Sequence, residues 1–351
     1  DKLEMATLGS TPISTHYFEL RVGGDMAAVK GMMKHVIERE DAEGGMLDHA
    51  FIAEHTTGFG ALAADLRAED WAVLAQESGL SEAQMRSAGD VYLGAGSVIA
   101  CWGMGITQHM HSVATIQTIV NLLMLRGNLG RAGAGACPVR GHSNVQGDRT
   151  MGIWEKPPAA LLDRLGEVYH FAPPRADGVD TVGAIAAMRD GQAQVFIAMG
   201  GNFAAATPDT YETWKALRRC ELTVHVATKL NRSHVVHGRE ALILPCLGRT
   251  EIDMQAAGPQ GVTVEDSMSM VHVSMGINPP ASDQLLSEPA IVARLAAATL
   301  GGRTHVPWLW LVEDYARIRD EIEKVFPDFH DFNARVAVPG GFRLRNTASE
   351  R

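Results

Sequence analysis

Val195-Phe196-Ile197-Ala198-Met199-Gly200-Gly201-Asn202 is the stretch on which the fold turns. Five apolar residues ending on a glycine pair suit a short strand of a buried parallel sheet. Pro208-Asp209 then starts a helix reaching about Arg219, with proline at an early helical position. A second strand follows at Leu222-Thr223-Val224-His225-Val226. A polar stretch from Thr228 to His237 leads into a third strand, Leu242-Ile243-Leu244. Strand, helix, strand, connection, strand at this spacing predicts an α/β fold with a Rossmann-like parallel sheet. Ligands of such sheets sit beyond the C-terminal strand ends. Here those ends are Gly200-Gly201-Asn202, Thr228-Lys229-Leu230-Asn231 and Cys246-Leu247-Gly248.

The sequence before that sheet reads as mostly helical. Asp25 is expected to cap a helix whose apolar positions Met26, Val29, Met33, Val36 and Ile37 follow helical spacing. Ser81 with Gln84 has the form of a capping box for a helix running towards Leu93. Val98-Ile99-Ala100-Cys101-Trp102 suits a core strand. After a loop from Gly103 to His111, the residues Val113, Ile116, Ile119, Val120, Leu123 and Leu125 predict a buried helix stopped by Gly127. The glycine-rich segment from Gly127 to Gly147 is expected to be one long shaped loop. Beyond Gly261, Val262, Val264, Met270, Val271 and Val273 suggest further strands or a hairpin. Ser287 is expected to cap a helix over 290–300, and 308–325 reads as one long amphipathic helix. The tail from Pro327 to Arg351 shows little periodicity and reads as a linker.

At 351 residues the chain is long enough for two or three domains. Hydrophobic residues at 46% and charged ones at 21% exclude a disordered or fibrous chain. Lys plus Arg number 31 against 41 Asp plus Glu, a net charge of -10, which argues against a general nucleic-acid binder, since that would need a broad basic face. Four separated cysteines (Cys101, Cys137, Cys220, Cys246) without a CxxC pair argue against a disulfide framework or a cysteine-based metal site, and a cytoplasmic, reducing setting is expected. No membrane span is expected, because the uncharged stretch 101–125 contains Gln108, His109, His111, Gln117 and Asn121. The chain opens on Asp1 rather than Met, with no signal peptide, and is expected to be an internal piece of a longer protein.

Chemistry concentrates in Cys137-Pro138-Val139-Arg140-Gly141-His142-Ser143-Asn144-Val145-Gln146-Gly147. Glycines allow close backbone approach to a ligand, and backbone amides can hold anionic oxygens. Arg140 supplies a fork of donors for a carboxylate or phosphate. His142, Asn144 and Gln146 alternate, as in an extended strand facing a polar heterocycle. Over 101–156, five cations (Arg126, Arg131, Arg140, Arg149, Lys156) face two anions (Asp148, Glu155), a local excess of +3 that favours an anionic ligand. A merely solvated loop has the same composition. Thr228, Lys229, Asn231, Arg232 and Ser233 form a second cluster, suited to phosphate or ribose. Equally, Asn231 or Ser233 can simply start a short helix. No GxGxxG or GxxxxGK[ST] occurs at these turns, which argues against ordinary nicotinamide and P-loop sites. His109, His111, His225, His234 and His237 lack the carboxylate or cysteine that would complete a metal site.

Taken in order, Trp102-Gly103-Met104-Gly105-Ile106-Thr107-Gln108-His109, Asn121-Leu122-Leu123-Met124-Leu125-Arg126-Gly127-Asn128-Leu129-Gly130 and Pro138 to Gly147 resemble bis-molybdopterin guanine dinucleotide oxidoreductases of the formate dehydrogenase-like alpha-subunit group. Thr228 to His234, with Gly238 to Pro245, resembles the YdeP-type branch of that group. The resemblance implies a partial formate dehydrogenase/DMSO reductase-like fold. Residues 1–143 would form a helix-rich, third-domain-like α/β part, 144–335 a Rossmann-like guanine-dinucleotide-binding domain, and 336–351 a linker. It implies a molybdenum or tungsten ion held by two pterin dinucleotides, with a [4Fe-4S] cluster and the metal ligand outside this chain. Arg140 matches the arginine that orients an anionic substrate, and His142 would stand beside it in catalysis. Gln108, His142 and Gln146 fall on positions lining one pterin, and Met104, Arg140, Gly141 and Asn144 are implied to bind the cofactor with them. Gly200, Gly201, Asn202, Thr228, Lys229, Asn231 and Ser233 fall where the guanosine and phosphates are held. Formate dehydrogenases usually have glutamine at the place of His142, so the implied substrate is formate or another small anion. An electron-transfer protein is the implied partner. The rival is a non-catalytic scaffold or electron-transfer subunit of this fold that lacks molybdenum.

Overall fold

The computed structural model describes residues 13–139 and 141–345, which fall into two units, 1–141 and 142–351. Arg140 is outside the described residues.

In the first unit, helix α1 (Asp25–Glu43) is the hub. Around it lie α2 (His49–His55), α3 (Phe59–Ala68), α4 (Trp71–Ser78), α5 (Glu82–Gly94) and, later in the chain, α7 (Ser112–Met124). Met33, Val36, Ile37, Ala63, Leu66, Tyr92, Leu122 and Leu125 form its main core. Close approach of α1 and α5 requires two glycines. A β-carbon on Gly31 would stand 2.3 Å from Met85 Sδ, and one on Gly89 would stand 2.7 Å from the His35 ring. Asp25 does not cap α1, contrary to expectation. Gly24 holds the cap position without any side-chain bond, and Asp25 lies in the first turn, where its charge favours the helix dipole. The Ser81–Gln84 capping box is present on α5.

Strand β1 (Ile99–Trp102) pairs in parallel with β2 (Gly135–Pro138), and the short helix α6 (Met104–Thr107) occupies part of the expected 103–111 loop. β1 is not the buried strand expected. Ile99 is 54% exposed, because this two-stranded sheet gains little cover from the described residues. β2 also interrupts the segment expected to be one loop. Only its first residue, Gly135, is a glycine, and Ala136, Cys137 and Pro138 pair with β1, so glycine content alone overstated the irregularity. α7 begins where expected, though Val113 is exposed, and the chain turns at Gly127 with φ 59°.

The second unit contains α8 (Val145–Thr150), α9 (Ala159–Tyr169), α10 (Thr181–Arg189) and β3 (Val195–Met199). After them come α11 (Phe203–Ala206), α12 (Thr210–Arg219), β4 (Leu222–Ala227) and β5 (Glu240–Pro245). β3, β4 and β5 pair in parallel in that order, with Val195 opposite Leu222 and Leu222 opposite Glu240. Pro208 is not inside α12. Asp209, at φ 46°, is its cap and accepts from Glu212 N, so the proline only precedes the start. One face of the sheet packs Phe196 with Phe203, Leu217 and Cys220, while Val195, Ile197 and Met199 alternate onto an exposed face.

An antiparallel sheet follows: β6 (Asp253–Gln255), β7 (Gly258–Glu265), β8 (Met270–Met275) and β9 (Phe342–Arg343). The expected hairpin is β7–β8. Helix α13 (Glu288–Leu300) is capped by Ser287. The segment expected as one helix over 308–325 is two, α14 (Trp308–Val312) and α15 (Tyr315–Val325). Asp314 leaves helical geometry and accepts from Ala316 N, capping the second. The tail expected as a linker is folded as far as it is described. It contains α16 (Phe332–Val336) and β9, and Phe329, Phe332, Val336, Phe342 and Leu344 pack with Val271. Aromatic residues spaced without a period still make a core when strand and helix alternate over so few residues. Among the described residues no helix is long and apolar enough to cross a membrane.

Candidate functional site

The expected site residues fall into three local groups. The first sits at the ends of β1 and β2, where Val139 N donates to Trp102 O at 2.7 Å and keeps the emerging segments side by side. A β-carbon on Gly141 would lie 2.4 Å from Met104 Sδ, so a larger residue there would displace the Met104 side chain. Gln108 closes α6 by donating its amide to Met104 O, and its side chain is exposed. His109 Nε2, which sequence reasoning discounted, is buried there without a hydrogen-bond partner. Such an atom is unusual in a folded chain and marks a position that calls for another polar group.

The second group belongs to the 142–150 segment. It is not the extended strand expected from alternation. Asn144 is left-handed at φ 64°, and α8 follows at once. The Asn144 side chain accepts from Glu265 N at 2.9 Å, and Thr150 Oγ1 donates to Glu265 Oε2 at 2.6 Å. Asn144 thus anchors the turn on β7. Gln146 lines a cavity of about 350 Å³ together with Thr150, Glu265, Ser269 and Phe329, while His142 is exposed.

The third group is the most closely knit. Gly200 and Gly201 follow β3 at φ 67° and 71°, with open space where their β-carbons would be. Gly200 N donates to Val226 O, which keeps this turn over the end of β4. Across from it, Asn231 Nδ2 donates to Gly201 O at 2.7 Å, while Asn231 Oδ1 accepts from Ser233 N at 2.9 Å. Ser233 is buried. Its hydroxyl accepts from Ala204 N at 3.0 Å and bonds Asn202 Oδ1 at 3.2 Å. Asn231 is therefore also the cap of the 3-10 turn Arg232–Val235, the plainer of its two sequence readings. The side chains of Asn202, Asn231 and Ser233 tie two turns together, and the exposed groups left over are the glycine backbone, Thr228 and Lys229.

Part of the local positive charge has a structural role. Arg126 Nη1 donates to the carbonyls of Tyr92, Leu93 and Ala95 at 2.7–3.1 Å, closing the C-terminus of α5. Arg131 donates to Gly96 O and Asn128 Oδ1. Sequence reasoning also missed a buried histidine pair. His225 on β4 and His234 have ring centroids 5.0 Å apart, and neither Nε2 has a partner. Burial, then the neighbouring His234, holds the His225 pKa below its ordinary value. In the sequence the two were legible only as one histidine of the second strand and one of the polar stretch after it. A larger apolar cavity of about 530 Å³, lined by Leu165, Tyr169, Trp308, Ile322 and Phe326 among others, contains none of the expected site residues. Among the described residues no cluster of three His, Cys, Asp or Glu can hold a metal ion.

No family model matches the chain. It is 51% identical over 353 residues to Protein YdeP of Escherichia coli, covering 99% of this chain and 46% of that protein. It is 49% identical over 334 residues to an uncharacterised oxidoreductase of Mycobacterium tuberculosis, covering 95% of this chain and 43% of the relative. Formate dehydrogenase H of Escherichia coli is 36% identical over 140 residues, 40% of this chain and 19% of that enzyme. In fold, acetylene hydratase from Pelobacter acetylenicus superposes with a TM-score of 0.53 over 87% of this chain and 44% of that one, at 16% identity. The chain thus spans somewhat less than half the length of the curated relatives it matches along its whole extent. Over nearly its whole length the chain is thus similar to YdeP and to an uncharacterised mycobacterial oxidoreductase, over a shorter stretch to formate dehydrogenase H, and in fold to acetylene hydratase.

Proposed function

We propose that the protein is a molybdopterin-dependent oxidoreductase that passes two electrons between a small substrate and a redox partner, with this chain supplying part of the cofactor cleft. The observation that carries this reading is the pair of stitched turns at the C-terminal ends of β3 and β4. The donor set fits an anionic dinucleotide. Two left-handed glycines present backbone to open space, Thr228 and Lys229 are exposed beside the next strand end, and the polar side chains behind them are already satisfied by one another. In the first unit, the buried and unpartnered His109 Nε2, next to Gln108 in the chain, fits a polar contact to a ligand of that unit.

A bound bis-molybdopterin guanine dinucleotide with molybdenum or tungsten would supply the two-electron redox chemistry. The chain's own part is to bind and orient. Gly200, Gly201, Asn202, Thr228, Lys229, Asn231 and Ser233 would form the guanosine and phosphate site, with Asn202, Asn231 and Ser233 holding its shape as much as touching it. Met104, Gln108, Gly141, His142, Asn144 and Gln146 would border a pterin, with Asn144 acting through the turn it anchors on β7. Arg140 would hold an anionic substrate by charge-assisted hydrogen bonds, with His142 beside it. Formate or another small anion is the proposed substrate class, an electron-transfer protein the proposed partner, and a [4Fe-4S] cluster would be held by another segment.

Metal analysis and pterin fluorescence of the purified protein, in its intact form, test the reading together. Molybdenum or tungsten at about one ion per protein with two pterins is expected. A folded protein that contains neither metal nor pterin overturns the catalytic reading in favour of a scaffold.

A further inference from the structure

Cysteine spacing along the chain gave no reason to pair any two of the four thiols, yet β1 and β2 bring two of them together. In the parallel register Cys101 lies directly opposite Cys137. Directly paired residues of neighbouring strands lie about 4.8 Å apart and send their side chains to the same face, and that spacing is within the range a disulfide spans. Both residues are exposed, and the Cys137 thiol is near enough to contribute to raising the Cys101 pKa. Cys220 and Cys246 are buried and lie in the other unit.

We propose that Cys101 and Cys137 form a reversible dithiol–disulfide site, oxidised by a small-molecule disulfide of the glutathione type. The Cys101 thiolate attacks one sulfur of the disulfide, forming a mixed disulfide and expelling one thiolate. Cys137, losing its proton to solvent, then attacks the Cys101 sulfur, forms the intramolecular bond and expels the second thiolate. Two protein thiols are oxidised, one disulfide is reduced to two thiols, and both protons are accounted for. Partial desolvation and the adjacent Cys137 thiol keep the Cys101 pKa above its ordinary value, so the attack quickens as pH rises above neutral. The bond would clamp β1 to β2 one residue before Trp102 and Pro138, from which the Gly103–Gln108 and Val139–Gly141 segments leave. This site does not depend on the cofactor reading, because its chemistry needs only the two strands.

The test is equilibration of the purified protein in glutathione buffers of graded oxidised fraction, followed by thiol titration and by mass spectrometry of non-reduced peptides. Two of the four thiols should disappear together, with the loss of two hydrogens and a linked Cys101–Cys137 peptide. Cys101→Ser and Cys137→Ser, both conservative changes at exposed positions, should each trap one glutathione on the remaining partner. The proposal is overturned if wild-type protein retains two stable glutathione adducts without a linked peptide. It is equally overturned if all four thiols resist oxidation, or if the linked peptide contains Cys220 or Cys246.

Discussion

Asn231 shows how one residue serves two purposes. Its carbonyl oxygen starts the Arg232–Val235 turn while its amide reaches across to Gly201 O. Asn231→Ala removes a cap and the inter-turn bond together, and should cost about 1–2 kcal/mol in urea unfolding. If the turns hold the cofactor as proposed, pterin content should fall with it, whereas Asn231→Asp, which keeps the cap, should retain most of the stability. Arg140 belongs to the opposite kind. Arg140→Ala should lower turnover with formate or another small anion by about 100-fold or more, with metal content kept near wild type. Unchanged turnover would remove Arg140 from substrate binding. Tyr315 shows what the same logic does away from the site. Its hydroxyl joins Ser287, the cap of α13, to Asp253, and burial followed by the Asp253 hydrogen bond pushes its pKa well above the tyrosine range. Tyr315→Phe leaves Asp253 without that donor and should cost about 1–3 kcal/mol, read as a lower urea midpoint.

At the scale of elements, β4 sets the acid sensitivity. His225 is buried on it beside His234, and its pKa is depressed. An unfolded chain would bind a proton at this residue below about pH 6.5, while the folded chain binds it only at a lower pH. The unfolded state therefore holds more protons in that window, and stability falls as pH drops through it. Thermal unfolding at pH 7 and pH 5 should show a larger loss for wild type than for His225→Asn, compared after correction for the variant's own stability at pH 7. The paired strands and helices of the Rossmann-like sheet were legible because apolar runs and their spacing report burial along the backbone. Caps were less legible. Ser81 and Ser287 were read correctly, while Asp25 gave way to Gly24 because the chain there runs against α4 and a β-carbon at Gly24 would lie within 2.9 Å of the Glu77–Ser78 backbone. Asp314 was passed over because amphipathic spacing continues across the break that its cap introduces.

Val195, Ile197 and Met199 leave one face of β3 apolar and exposed, and the chain spans less than half the length of the relatives it matches along its whole extent. A cofactor binding the folded state only would stabilise it by mass action. Protein made under molybdate and tungstate starvation should then unfold several degrees lower than loaded protein, measured by calorimetry on the intact form. Identical transitions would mean that the turns do not hold the ligand.

Residue order by itself determined the parallel sheet, the acidic balance of the chain, and the motifs that resemble molybdopterin oxidoreductases, since each depends on local pattern or on residues read in line. It also named Gly200 and Asn231 as neighbours of one ligand without saying that they touch. Their contact, the Asn144 anchor on Glu265, the His225–His234 pair and the Cys101–Cys137 register needed the tertiary structure. Each joins residues that are distant in sequence, and strand register and turn packing are set by the sum of contacts across the fold, which no single stretch of sequence contains.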